Sequence, residues 1–200
     1  MSKDVKKVKS RPQDGEGSYV ELEDDMASYK NTYEWIQCLA AALAACVVLF
    51  MFGVKVIDVK GTSMNPTLYN GDKMIVSNLF YTPKTGDVVV FKTDTYDPDK
   101  ALVKRVIATE GQEINIDFDN GIVYVDGEAI EEDYINDLTL TQLDFIGPKT
   151  VPDGCVFVMG DNRNMSIDSR KTEIGMVDSR KILGRVYFVI FPVSDIGVVE

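Results

Sequence analysis

The sequence predicts a mainly β protein preceded by a single N-terminal transmembrane helix. Three observations lead there. Residues 35–54 carry no charged side chain, and about 20 such residues form a helix long enough to span a bilayer core. From about residue 57 the apolar pattern changes to short β-branched runs bounded by turn residues. Within those runs, Asn120-Gly121 separates two alternating segments, the strongest short hairpin signal.

Taken in order, residues 1–32 are polar and poor in apolar side chains, with acids clustered from Glu21 to Asp25. This composition predicts a disordered tail. Residues 33–56 are assigned to the membrane helix. Glu34 and Lys55 bound its uncharged stretch, Gln37 is its one strongly polar side chain, and Tyr33 and Trp35 fall where an interfacial aromatic belt lies. A cleaved signal peptide fits less well, because the preceding segment is long and of mixed charge. Leu43-Ala44-Ala45-Cys46 resembles a lipoprotein box, yet it sits mid-run with uncharged residues after it. Lysines flank both ends, so the positive-inside count does not set the orientation.

Residues 57–200 form the second domain. Strands are predicted at Lys73–Ser77, Asp87–Phe91, Leu102–Ala108, Glu113–Phe118, Ile122–Val125, Cys155–Met159 and Lys181–Phe191, with Asp126-Gly127 as a further turn. Short strands with polar turns indicate a barrel-like or sandwich core. Residues 131–150 carry weaker signals and are assigned to an excursion from that core.

Composition excludes several functions. A net charge of −11 argues against nucleic acid as a partner. Histidine is absent and no Cys-x-x-Cys occurs, so neither a metal site nor a cofactor is expected. Cys38 and Cys46 would lie about 12 Å apart along one helix, too far to bridge. Asp94, Asp97 and Asp99, and the pair Asp117 and Asp119, lack the terminal glutamate of a calcium loop.

The absence of histidine also directs the chemistry. A catalytic serine needs a base, and without imidazole a lysine is the leading candidate. Ser63 lies in Gly61-Thr62-Ser63-Met64-Asn65-Pro66-Thr67-Leu68, soon after the apolar helix. Lys104 lies in the apolar run Leu102-Val103-Lys104-Arg105-Val106-Ile107. If Lys104 points inward, burial lowers its pKa, as a lysine base requires near neutral pH. Arg105 would take the other face of the strand. A third element, Gly160-Asp161-Asn162-Arg163-Asn164-Met165-Ser166-Ile167-Asp168-Ser169-Arg170, follows an apolar strand directly. It packs acids, arginines and serines densely enough to hold a neighbouring group in place.

Together, and in this order, these elements over residues 35–200 resemble the bacterial type I signal peptidases, Ser-Lys membrane proteases of peptidase family S26, in their short Gram-positive-like form. The resemblance implies a β-rich, signal-peptidase-type catalytic domain on the extracytoplasmic face of the cell membrane. It implies a single-pass anchor with residues 1–32 as a cytoplasmic tail, membrane lipid and preprotein signal peptides as partners, and no cofactor. It makes Ser63 the nucleophile and Lys104 the general base. Ser166 becomes the serine that hydrogen-bonds the lysine amine, Asp168 and Arg170 a supporting ion pair, and Asp161 and Arg105 further polar supports. Met64 and Pro66 shape the serine turn and substrate cleft. Two residues before the nucleophile some members carry a serine that donates to the oxyanion hole; here Gly61 stands there, leaving the second donor to another group. Ala108-Thr109-Glu110-Gly111 replaces the usual Gly-x-Pro-Gly, and Lys171–Ile174 lengthens a link; both are turn variations.

Other readings remain at this stage. One is a peptidase dedicated to few substrates. A self-cleaving Ser-Lys repressor shares the Ser-Met turn, but a membrane helix replaces its DNA-binding domain. A membrane-anchored β-domain that binds without catalysis would not need Ser63, Lys104 and Ser166 together.

Overall fold

The computed structural model describes residues 16–96 and 100–199, with the side chains of 16–28 and 49–52 left out. Lys3 to Arg11 of the tail, and Asp97 and Asp99, lie outside the described residues. The chain divides into two units, residues 1–49 and 50–200.

A helix, α1, runs Glu16–Gly53. It therefore starts inside the stretch read as a disordered tail. After Gly17 that stretch has no glycine or proline, and its Leu, Glu, Met, Ala and Lys residues favour helix despite the polar composition. Along α1, Trp35, Leu39 and Leu43 are exposed. Among the described residues, no helix is long and apolar enough to cross a membrane.

Twelve strands follow among the described residues: β1 Val54–Asp58, β2 Lys73–Ser77, β3 Val88–Lys92, β4 Ala101–Thr109, β5 Glu113–Asp117, β6 Ile122–Val125, β7 Glu128–Ala129, β8 Lys149–Thr150, β9 Cys155–Met159, β10 Val177–Asp178, β11 Ile182–Phe191 and β12 Gly197–Val198. The larger sheet has the order β1-β2-β11-β3-β4-β9-β10, with β12 added to β11. The smaller has the order β7-β6-β5-β8. All pairs are antiparallel.

β1 corrects the expected helix boundary. The segment read as helix to residue 56 turns to strand at Val54, where Val-Lys-Val-Ile-Asp pairs in register with all of β2. β-branched residues favour that pleated surface. The hairpin at Asn120-Gly121 forms with a longer loop than expected: Asp117 pairs with Ile122, so four residues connect β5 and β6. The Asp117 carboxylate accepts from the backbone N–H of Asp119 and Asn120 and from the Asn120 side chain, the Asx-turn device. Asp126-Gly127, both at positive φ, form the two-residue turn into β7, as expected of a primed turn.

The strands read from the sequence bury their alternate residues in different cores. Val88 and Val90 of β3 join Val59, Met64, Leu68, Met74 and Val186. Val89 and Phe91 pack instead with Val106, Val156, Val158 and Ile182. A third cluster beneath the smaller sheet contains Ile114, Val123, Phe145, Phe157 and Met159. β3, with both faces covered, is a rigid support for its neighbour β4.

Candidate active site

Ser63 stands in the connection between β1 and β2. Met64 and Leu68 are buried in the core, and Leu68 N–H donates to Met64 O at 2.9 Å, closing one helical turn. These two anchors fix the turn and leave Ser63 half-buried at its edge. The N–H of Gly61 donates to Asn70 Oδ1 at 2.9 Å.

Lys104 reaches Ser63 from β4. Its Nζ lies 2.7 Å from Ser63 Oγ and 2.9 Å from Val103 O. The side chain is 3% exposed. Burial lowers its pKa from the ordinary lysine value to about 8; Asp168 and Asp161 oppose the shift, and Arg170 adds to it. A hydroxyl and an amine of depressed pKa within 2.6–3.2 Å have the geometry of an activated nucleophile.

The box after β9 closes around this pair. Asn162 N–H donates to Ser63 O, and its side-chain amide to Thr62 O, both at 3.1 Å. Arg105 Nε and Nη2 grip Asp161 at 2.9 and 2.8 Å. Arg170 grips Asp168 at 2.9 Å through the same two atoms. Both pairs are fully buried, and both are bidentate, the strong and directional form. Asp168 also accepts from Gly160 N–H at 3.0 Å, and Arg105 Nη1 donates to Gly86 O at 2.8 Å.

All the site residues expected from the sequence except Pro66 meet here. Asp168 and Arg170 pair as expected, and Asp161 and Arg105 prove to be partners of each other. Ser166 departs from expectation: it is buried, and its hydroxyl makes no hydrogen bond, so the expected bond to the Lys104 amine is not formed. The amine has instead turned to Ser63 Oγ and Val103 O. Met64 lines the groove beside Ser63, whereas Pro66 does not and shapes only the turn. The third buried pair, Arg163 with Glu132, and the Tyr134 ring 4.0 Å from the Arg105 guanidinium were missed. Alternation in Glu131-Glu132-Asp133-Tyr134, whose even members turn inward, was the available signal.

A groove of about 470 Å³ leads to Ser63 and Lys104 between Val56–Gly61 and Lys100–Val103. Both walls present open strand edges. β1 ends the larger sheet, and β9 pairs with β4 only from Arg105 onward, so Ala101–Lys104 pair on one side alone.

A model of the family "Signal peptidase, peptidase S26" matches residues 32–191. The chain belongs to this family. A "Probable signal peptidase I-1" of Synechocystis is 38% identical over 173 residues, covering 82% of this chain and 85% of that one. A "Signal peptidase I" of Bacillus licheniformis is 33% identical over 187 residues, covering 87% and 97%. A crystal structure of a signal peptidase I from Enterococcus faecalis aligns with a TM-score of 0.44 at 28% identity, over 52% of this chain and 97% of that chain. Membership makes the chain a peptidase, a serine endopeptidase by the family's chemistry.

Proposed function

We propose that this peptidase removes signal peptides from exported preproteins with a Ser63–Lys104 dyad. The observation that carries the reading is the 2.7 Å contact between a buried Lys104 amine and Ser63 Oγ at the end of a groove with free strand edges. A lysine whose pKa is about 8 is partly neutral near neutral pH. The neutral amine takes the Ser63 proton as Oγ attacks the scissile carbonyl. The tetrahedral intermediate collapses with cleavage of the C–N bond, the Lys104 ammonium returning its proton to the departing amine. The acyl-enzyme is then hydrolysed by water activated by the neutral Lys104 amine so restored. The preprotein lies extended in the groove and hydrogen-bonds the open edges of β1 and β4. On this reading small side chains stand at −1 and −3 from the cut and pack against apolar lining residues such as Val56, Val59 and Met64.

The apolar residues 35–54 anchor the chain in the membrane, single-pass, with residues 57–200 on the extracytoplasmic side and lipid as a partner. The exposed Trp35, Leu39 and Leu43 support this reading, since large apolar side chains seek cover from water. Anchoring restricts enzyme and membrane-held substrate to one surface, which favours encounter.

The test is cleavage of a detergent-solubilised preprotein by wild type, Ser63→Ala and Lys104→Ala. Release of the mature chain at an Ala-x-Ala-like site by the wild type alone supports the dyad. Full activity in either variant refutes it.

A further inference from the structure

Glu132 and Tyr134 lie on the irregular connection between β7 and β8, away from the groove residues. Their neighbours Glu131 and Asp133 are exposed, while these two turn inward. The Glu132 carboxylate receives both terminal nitrogens of the buried Arg163, and the Tyr134 hydroxyl donates to the same carboxylate at 3.1 Å. The Tyr134 ring lies 4.0 Å from the Arg105 guanidinium and 5.8 Å from that of Arg163. One short segment therefore contacts two arginines belonging to different halves of the site. Arg105 follows Lys104 on β4. Arg163 donates through Nε to Gly160 O at 3.1 Å.

Gly160 is where the serine turn meets the box. A Cβ added there would sit 2.6 Å from Ser166 Cβ and would collide with Ser63 O. Two residues on, Asn162 N–H holds Ser63 O at 3.1 Å. The backbone that sets the height of Ser63 is thus tied through Arg163 to Glu132, and the strand that carries Lys104 is capped by Tyr134. An aromatic face over a guanidinium is attractive and keeps water from it.

We propose that Glu132 and Tyr134 are positioning residues that hold the serine turn and the lysine strand in register. The inference rests on the Ser63–Lys104 reading above. Small displacements matter in such a site: about 1 Å can cost roughly 10²-fold in rate. Neither residue lines the groove, so substrate binding is unaffected.

The experiment measures kcat and KM for preprotein cleavage by the full-length protein in detergent, with Tyr134→Ala, Tyr134→Phe, Glu132→Gln and the exposed control Glu131→Gln, alongside Ser63→Ala. Tyr134→Ala and Glu132→Gln are expected to lower kcat at least about tenfold with KM within about twofold of wild type. Tyr134→Phe retains at least about half of kcat, because the ring face rather than the hydroxyl meets Arg105. The control matches wild type. Should Tyr134→Ala fail to fold, Glu132→Gln, which keeps the shape and removes the charge, decides alone. The inference is overturned if Glu132→Gln keeps wild-type kcat, if Tyr134→Phe loses as much as Tyr134→Ala, or if KM rises as far as kcat falls. Continued cleavage by Ser63→Ala overturns instead the dyad reading on which the inference rests.

Discussion

Raising the pH should increase cleavage until Lys104 has lost its proton, and then stop increasing it. With a pKa of about 8, the neutral fraction of Lys104 is about 9% at pH 7 and about 91% at pH 9. The predicted rise in kcat/KM is thus about tenfold over two pH units, followed by a plateau. A lysine at the ordinary value of 10.5 would give about a hundredfold rise over the same range and no plateau. The assay is initial-rate cleavage of a preprotein in detergent from pH 6 to 10, with substrate well below KM. Continued rise of about tenfold per unit beyond pH 9 would refute the burial argument, and a flat profile would refute a lysine base altogether. The same shift carries a stability signature. The folded pKa lies below the unfolded one, so between pH 8 and 10.5 the unfolded chain binds more protons. Stability contributed by this group therefore rises with pH through that window and is lowest below it. The burden at pH 7 is on the order of 3 kcal/mol, so Lys104→Met, though inactive, should resist urea better than wild type at pH 7, with the advantage shrinking toward pH 10.

Three further outcomes follow from the geometry. Arg170→Met leaves the fully buried Asp168 without its cation, which should cost about 3–5 kcal/mol in a denaturant titration; the double variant Asp168→Leu/Arg170→Met should recover most of that stability without recovering cleavage. Gly160→Ala drives a methyl group into Ser166 and Ser63 O and should lower kcat by roughly 10² or more, while circular dichroism shows retained β structure; wild-type turnover would mean that the box has room to move. If the ring of Phe80, 98% exposed and at positive φ, meets lipid, Phe80→Glu should reduce cleavage in liposomes and leave it unchanged in detergent micelles; equal activity in liposomes would remove the lipid contact.

The sequence announced the long strands because their cause is local. Alternating or continuous β-branched runs such as Val88–Phe91 and Ile182–Phe191 can do little else between turn residues. β1 was hidden because Val54-Lys55-Val56-Ile57 continues an apolar run that, read along the chain, extends the helix; only pairing with β2 reveals it. β7, β8, β10 and β12 span two residues each, too few to show a period. At the site, Ser63, Lys104 and the box were legible from residue type and order. Their partnerships were not. Arg105 finds Asp161 across 56 positions, and Arg163 finds Glu132 across 31. Such pairings depend on which loops the sheets bring together, and no local pattern encodes them. The hydroxyl of Ser166 was placed on Lys104 by resemblance, whereas the amine's rotamer in the structure chooses Ser63 and a backbone carbonyl.

The three buried ion pairs raise a question that stability alone does not answer, since pairs of this kind are often no better than apolar side chains of the same size. Their value lies in what Lys104 requires. Asp161 and Asp168 both act to raise its pKa, and either carboxylate left unpaired nearby would hold the amine protonated. Each is instead met in bidentate fashion by an arginine, Arg105 or Arg170, whose charge stays fixed at any pH the protein meets. The carboxylates can then serve as rigid acceptors for Gly160 N–H and Thr67 Oγ1, while Arg170 offsets part of their pull on the lysine. Burial is left as the dominant influence, and burial favours the neutral base. The same reasoning gives the Arg170→Met variant a second readout: with Asp168 uncompensated, the midpoint of its residual pH–rate profile should move upward from that of the wild type. A midpoint that stays in place would show that the arginine serves only to support the loop.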